Sequence, residues 1–220
     1  MEMCARLLSV LSCAGALLLA NGTAADTLFL ESITTDSLQT QHEFVSYTAS
    51  GVGFAGIRFT VNEPVVISRS SATLVKVPLG SSDLFFMGIE QLSQPTDVPD
   101  FVLDAGPSSL LAYSEAEASP ILGSGVFFPL GASLGPGVYA LLVGCAEFDC
   151  YGGLPTGAPG STPLIPEDDF LLSYGTTSSQ NWGYTSPTFR LALYAVPEPG
   201  TVLLVGMGIA GLALRARRLL

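Results

Sequence analysis

The residues equipped for chemistry are few. The chain carries four cysteines and a single histidine. Cys145 and Cys150 enclose Ala-Glu-Phe-Asp, so the two thiols can bridge or can join Glu147 and Asp149 as metal ligands. An even pair at the end of a strand, in an oxidising compartment, reads as a disulfide closing a small loop. No histidine stands near to complete a zinc-type set, and the disulfide is the reading adopted here. A loop of this size gains about 2 kcal/mol of chain entropy, so the bond would pin a turn locally. His42 must serve in any Ser-His-Asp or Cys-His arrangement. It precedes Glu-Phe-Val-Ser-Tyr with no motif around a serine and reads as a surface residue. We therefore expect no enzyme, no cofactor and no resident metal.

Carboxylates are more abundant. Glu167-Asp168-Asp169 and the trio Asp97, Asp100 and Asp104 are the densest clusters. Paired carboxylates can hydrolyse glycosides, and hard oxygen ligands on loops suit Ca²⁺. Neither cluster stands in a recognisable motif, and Asp-x-x-Asp-x-x-x-Asp does not match an EF-hand, so solvated loops are expected. Tyr174, Trp182 and Tyr184 can stack on sugar rings if one sheet face exposes them together. They can equally fill the core of the last strands, and both readings stay open.

The elements that would position these residues read as β. Gly, Pro, Ser and Thr punctuate short runs rich in Val, Phe, Leu, Ile and Tyr, without sustained helical spacing. Alternation directs Ile57, Phe59 and Val61 inward, and again Phe189, Leu191 and Leu193. Residues 73–77 and 85–89 are two further strand candidates. The run 138–143 is apolar on both faces and is expected to be a central strand. Residues 110–118 are the one short helix candidate of the body, and 151–166, rich in Gly and Pro, an exposed loop. The fold class is all-β, a two-sheet β-sandwich of jelly-roll type spanning residues 26–195.

That body is strongly acidic. From Asp26 to Val196, 17 acidic side chains stand against Arg58, Arg69, Lys76 and Arg190. Such a field repels phosphate backbones and excludes nucleic acid as a partner. It serves solubility, and it leaves membrane attachment to the tail.

Both ends of the chain differ from the body. Arg6, an apolar run over residues 7–20 and the small residues Thr23-Ala24-Ala25 have the layout of a secretory signal peptide covering 1–25. At the carboxyl end, residues 196–220 hold three parts: Pro197-Glu198-Pro199, an uncharged run over 201–214, and Arg215, Arg217 and Arg218. The prolines hold their segment extended and outside any helix. The run can form a single hydrophobic helix of about 21 Å, short of the roughly 30 Å hydrocarbon core. Snorkelling arginine stems make up part of the difference. The positive-inside rule sets those arginines on the cytoplasmic side and Pro-Glu-Pro outside. Gly206-Met207-Gly208-Ile209-Ala210-Gly211 spells G-x-G-x-x-G, yet only nine residues follow it and none is acidic. The βαβ context of a dinucleotide site is missing, and the glycines suit close packing of a membrane helix.

This tripartite end resembles the PEP-CTERM sorting signal, over about a tenth of the chain. The resemblance implies a bacterial protein held in the inner membrane by residues 201–214. An exosortase, a membrane cysteine peptidase, would be its partner and would process it near Pro-Glu-Pro. The body would then pass to the cell surface or the extracellular polysaccharide matrix. The pattern from Gly53-Phe54 through Val138-Tyr139-Ala140 is also similar to sandwich domains found ahead of such signals, a likeness that brings no activity. The expected role is structural or adhesive, associated with exopolysaccharide and biofilm. A carbohydrate-binding module using Tyr174, Trp182 and Tyr184 is the alternative. A hydrolase is a third reading, which the single histidine supports poorly.

Overall fold

Residues 138–143, apolar at every position, lie in a strand paired on both edges and covered on both faces. The computed structural model describes residues 26–34, 38–76, 82–118, 125–157, 162–184 and 189–196. In chain order its strands are β1 (Thr27–Glu31), β2 (Ile33–Thr34), β3 (Leu38–Thr48), β4 (Gly51–Val61) and β5 (Val65–Thr73). Next come β6 (Val75–Lys76), β7 (Leu84–Leu92), β8 (Ala112–Glu117), β9 (Gly125–Leu134) and β10 (Gly137–Cys145). The last are β11 (Cys150–Gly157), β12 (Thr162–Pro163), β13 (Phe170–Thr176), β14 (Ser179–Tyr184) and β15 (Leu191–Ala195). Short 3-10 turns occupy Leu103–Ser109 and Glu167–Asp169. The protein is all-β, as its punctuated alternation requires.

Two main sheets form. The smaller has the order β1-β15-β5-β9, and the larger runs β6-β11-β3-β4-β10-β7-β8 with β13 added to β4 and β14 to β13. On β4, Gly53 pairs with both Ser46 and Tyr174, while Phe54 pairs with both Gly144 and Ser173. A strand has only two edges. Hence β3 and β10 share one edge of β4 in succession, parting between Gly53 and Phe54, and β13 takes the other.

The side-chain period of two divides the large sheet into two apolar faces. Ile57, Phe59, Met87, Ile89, Leu141 and Val143 point toward the small sheet, where Ile67, Phe128, Leu191 and Leu193 meet them. The outer face carries Val52, Phe54, Phe86, Ala140 and Leu142, and a second core forms there around Phe101. Residues 93–111 cross this face as a strap, and Phe101 packs on Phe54 and Phe86 with ring centroids 5.3 and 5.4 Å away. Burying a side chain of this size stabilises by about 1.5–3 kcal/mol relative to exposure.

Two sequence expectations are corrected. Residues 112–117 form strand β8, paired with β7, instead of a helix. Short length and the waiting edge of β7 outweigh the helix propensity of its Ala and Glu residues. Residues 150–157 form strand β11, buried over 152–155 and paired with β3 and β6, instead of an exposed loop. Gly152 is there for close approach: a Cβ at that position would collide with the Phe85 ring. β9 was not anticipated at all, although it alternates buried and exposed residues without a break. Gly131 has φ of 62° and marks a bulge against β5, where the register shifts between Ile67 and Arg69.

Candidate functional site

β15 is paired on both edges, with Thr27 opposite Ala195 on one side and Leu191 opposite Ala72 on the other. Beyond the strand, the Val196 N–H donates to the Val66 carbonyl at 2.9 Å. The next residue is Pro197, so the expected sorting segment opens on the residue that makes this hydrogen bond, the last to the sheet among the described residues, and Pro-Glu-Pro follows it directly. Pro197, Glu198, Pro199, Arg215, Arg217 and Arg218 lie outside the described residues, as do the apolar run 201–214 and the expected signal peptide 1–25. Among the described residues, no helix is long and apolar enough to cross a membrane.

The aromatic candidates separate. Ser173 pairs with Phe54 on β4 and with Trp182 on β14, so these three share the outer face of the large sheet. Trp182 is half-buried there and stacks on Phe54, with centroids 6.2 Å apart and planes 27° apart. Its Nε1 is buried and has no hydrogen-bond partner among the described residues. Tyr174, one residue along, points to the opposite face over Gly53 and is 53% exposed. Tyr184 ends β14 opposite Leu171, and its side chain is outside the described residues. Tyr174 and Trp182 therefore form no common platform, because strand parity sends adjacent positions to different faces.

What Trp182 does border is a cleft of about 400 Å³ between residues 98–102 of the strap and 178–182 of the β13–β14 hairpin. Its polar groups include exposed Asp100 and Asn181, and Phe101 and Trp182 supply apolar surface. The cleft is tied at one end. The Asp104 N–H donates to the Thr177 carbonyl at 2.8 Å, and the Thr177 hydroxyl donates to the Asp104 carboxylate at 3.0 Å. Sequence pattern held no signal for this cleft, since its two walls are about 80 residues apart in the chain.

The acidic clusters are gathered around one buried cation. Arg58 Nε pairs with Asp169 Oδ1 at 2.7 Å, and its two terminal nitrogens donate to the carbonyls of Asp97 and Asp168 at 3.1 and 3.0 Å. Glu90 is buried nearby and accepts from the N–H groups of Asp100 and Phe101 at 2.8 and 3.2 Å. Burial pushes its carboxyl above the ordinary range; those two N–H groups oppose the shift, and the Asp100 charge adds to it. Asp100, Asp104 and Asp168 are exposed, as expected of solvated loops, while the backbone beneath them is pinned by Arg58 and Glu90. Among the described residues, no three His, Cys, Asp or Glu side chains gather to hold a metal ion.

Cys145 and Cys150 are joined by a disulfide, with Cα atoms 5.7 Å apart. The bond sits where β10 leaves β4 and β3 takes its place, since Cys145 ends β10 and Cys150 opens β11 opposite Tyr47. Asp149 supplies the turn with a φ of 61°, and its N–H donates to the Tyr47 carbonyl at 2.7 Å. His42 lies in β3 opposite Pro155, and its side chain is outside the described residues.

Fold and tail together define a class: a two-sheet β body followed, without a spacer, by a short carboxyl-terminal segment. Residues 195–218 match the family model of the PEP-CTERM protein-sorting motif, and the match starts on the last residue of β15. The chain thus carries a PEP-CTERM sorting signal, which marks it for export through the membrane to the cell surface and for processing by an exosortase. A comparison with proteins of curated function found no match.

Proposed function

We propose that this is an exported surface or extracellular-matrix protein whose body, residues 26–195, is structural or adhesive and works in contact with exopolysaccharide. Residues 1–25 serve as its signal peptide and residues 201–214 hold it in the inner membrane until an exosortase acts. The observation that carries this reading is the sorting motif at 195–218, continuous with β15. Its two cores and its disulfide give the rigid body that a structural or adhesive role requires. The strand orders β1-β15-β5-β9 and β4-β10-β7-β8 support a jelly roll, with β2, β3, β6 and β11–β14 as additions to it.

The test follows the chain in cells that contain an exosortase. Replacing Pro197, Glu198 and Pro199 by alanine leaves export intact and abolishes trimming, because the apolar run and arginines are untouched. Removing Arg215, Arg217 and Arg218 acts earlier and lets the tail slip through the membrane. Trimming of the alanine variant at the wild-type level would reduce the tail to an anchor. A second reading, a carbohydrate-binding module, is favoured by the cleft beside Trp182. Sugar-array binding by the secreted protein, lost in Trp182→Ala, would establish it.

A further inference from the structure

Gln180 and Trp182 stand two positions apart on β14, so they share the sheet face that carries Phe54. Two hydrogen bonds fix the Gln180 amide there. Its Oε1 accepts from the Ser173 hydroxyl at 2.5 Å, and its Nε2 donates to the Thr176 carbonyl at 2.6 Å. A side-chain amide has two donors and two acceptor lone pairs. One N–H and one lone pair therefore remain, held in a set direction. Beside them the Trp182 Nε1–H is buried without a partner among the described residues. A buried donor left unpaired carries its full desolvation cost, and an oxygen lodged in the cleft that Trp182 lines would relieve it.

The opposite wall is equally set. Phe101 rests on the same Phe54 ring as Trp182, with centroids 5.3 and 6.2 Å away. Glu90 holds the N–H groups of Asp100 and Phe101, and the Asp104–Thr177 bonds join the two walls. The cleft's volume of about 400 Å³ falls in the usual range of small-ligand sites. Walls already fixed need no ordering when a ligand enters, and that ordering is where affinity is commonly lost. The charge around the cleft is one-sided. Asp100 lines it, while the nearby cation, Arg58, is committed to Asp169 and to the carbonyls of Asp97 and Asp168.

We propose that this cleft binds an uncharged sugar unit of a polysaccharide. The sugar ring lies against the Trp182 indole, and its hydroxyls meet the Gln180 amide, the Trp182 N–H and the Asp100 carboxylate. A pyranose has an apolar C–H face and a rim of hydroxyls that both donate and accept, and these groups suit both parts. Sugars bearing carboxylate, sulfate or phosphate are turned away, because their charge meets Asp100 and the acidic body around it. The proposal rests on the reading of the body as a partner of exopolysaccharide, and it names the class of chain and the place of contact.

The test uses the full chain with four soluble probes. Dextran, mannan and galactan oligosaccharides are uncharged; polygalacturonate oligosaccharides are acidic. Trp182 is the chain's one tryptophan, so its emission reads occupancy of the cleft. At least one uncharged probe is expected to shift that emission saturably, with polygalacturonate at least tenfold weaker. Asp100→Asn, at an exposed position, should raise polygalacturonate affinity at least threefold. Gln180→Glu keeps an acceptor for Ser173 and should weaken the uncharged probe at least tenfold. Polygalacturonate binding as tight as that of the uncharged probes, no gain in Asp100→Asn, or wild-type affinity in Gln180→Glu overturns the proposal. Calorimetry on the same samples separates it from the reading beneath it. Heat of binding with silent Trp182 emission places the sugar elsewhere and overturns the cleft alone. If none of the four probes binds, the exopolysaccharide reading falls and the proposal with it.

Discussion

Arg58 and Glu90 flank Ala140 on three adjacent strands, because Ala140 pairs with Arg58 on β4 and with Glu90 on β7. All three project from the outer face of the large sheet, and the strap fits this pair by polarity. The cation receives the carbonyl of Asp97, and the carboxylate receives the N–H groups of Asp100 and Phe101. The aromatic core beneath Phe101 is thus sealed by two opposite charges, each meeting backbone groups of its complementary kind.

Arg58→Met should destabilise the protein by about 3 kcal/mol, since removing one partner of a buried pair strands the other. The carboxylate of Asp169 and the carbonyls of Asp97 and Asp168 lose their donor together. Denaturant unfolding measures the loss, and faster amide exchange at Asp100 and Phe101 would place it in the strap.

Glu90 gives a pH signature. Its carboxyl is raised in the folded state, chiefly by burial, so the fold binds this proton more tightly than the unfolded chain does. The contribution to stability is full below about pH 4.3, the unfolded value, and is lost as pH rises through the higher folded value. Glu90→Gln should flatten stability against pH across that window, seen in urea midpoints at a series of pH values. An unchanged slope would remove Glu90 as its source.

Phe54→Ala should cost about 3–5 kcal/mol, the range for deleting a buried phenylalanine. It also removes the ring on which Trp182 stacks. As Trp182 is the chain's one tryptophan, a change in its emission reports whether the second core has opened.

Gly152→Ala should destabilise by about 1–3 kcal/mol, the usual range for overpacking, because the new methyl meets the Phe85 ring. Phe85→Leu in the same protein should recover part of the loss. Additive losses in the double variant would mean that the two residues do not press on each other.

Much of this could be read from residue order, where the reason for a pattern is local. β4 is legible over residues 57–61 because Arg58 and Thr60 stand between its inward apolar residues, β15 because Thr188 and Arg190 mark the same alternation leading into it, and β10 reads as central because nothing polar interrupts it. β9 escaped because Phe127 and Pro129 sit on its exposed face, which erases the contrast that alternation needs. β11 escaped because Gly152 and Pro155 resemble turn formers, and only the approach of Phe85 reveals why glycine is required. The second core, the cleft and the clamp at Arg58 and Glu90 were illegible for a common reason. Each depends on residues 93–111 folding back across a sheet assembled from distant strands. The sorting tail was legible because its function lies in chain order itself: prolines, apolar run and arginines.

The pairing of Thr27 with Ala195 has a further consequence for what the sheet can tolerate. Domains whose ends lie together accept circular permutation. A bridge of about three small residues from Val196 to Asp26 spans the remaining gap. New termini can then be opened in the exposed turn at Asn62 and Glu63, between β4 and β5. Every ladder would survive that rearrangement, the β1–β15 pair now as a local hairpin in place of the longest-range contact in the fold. The body is a closed module, one that a longer chain could carry as an insertion in a surface loop as readily as at its end.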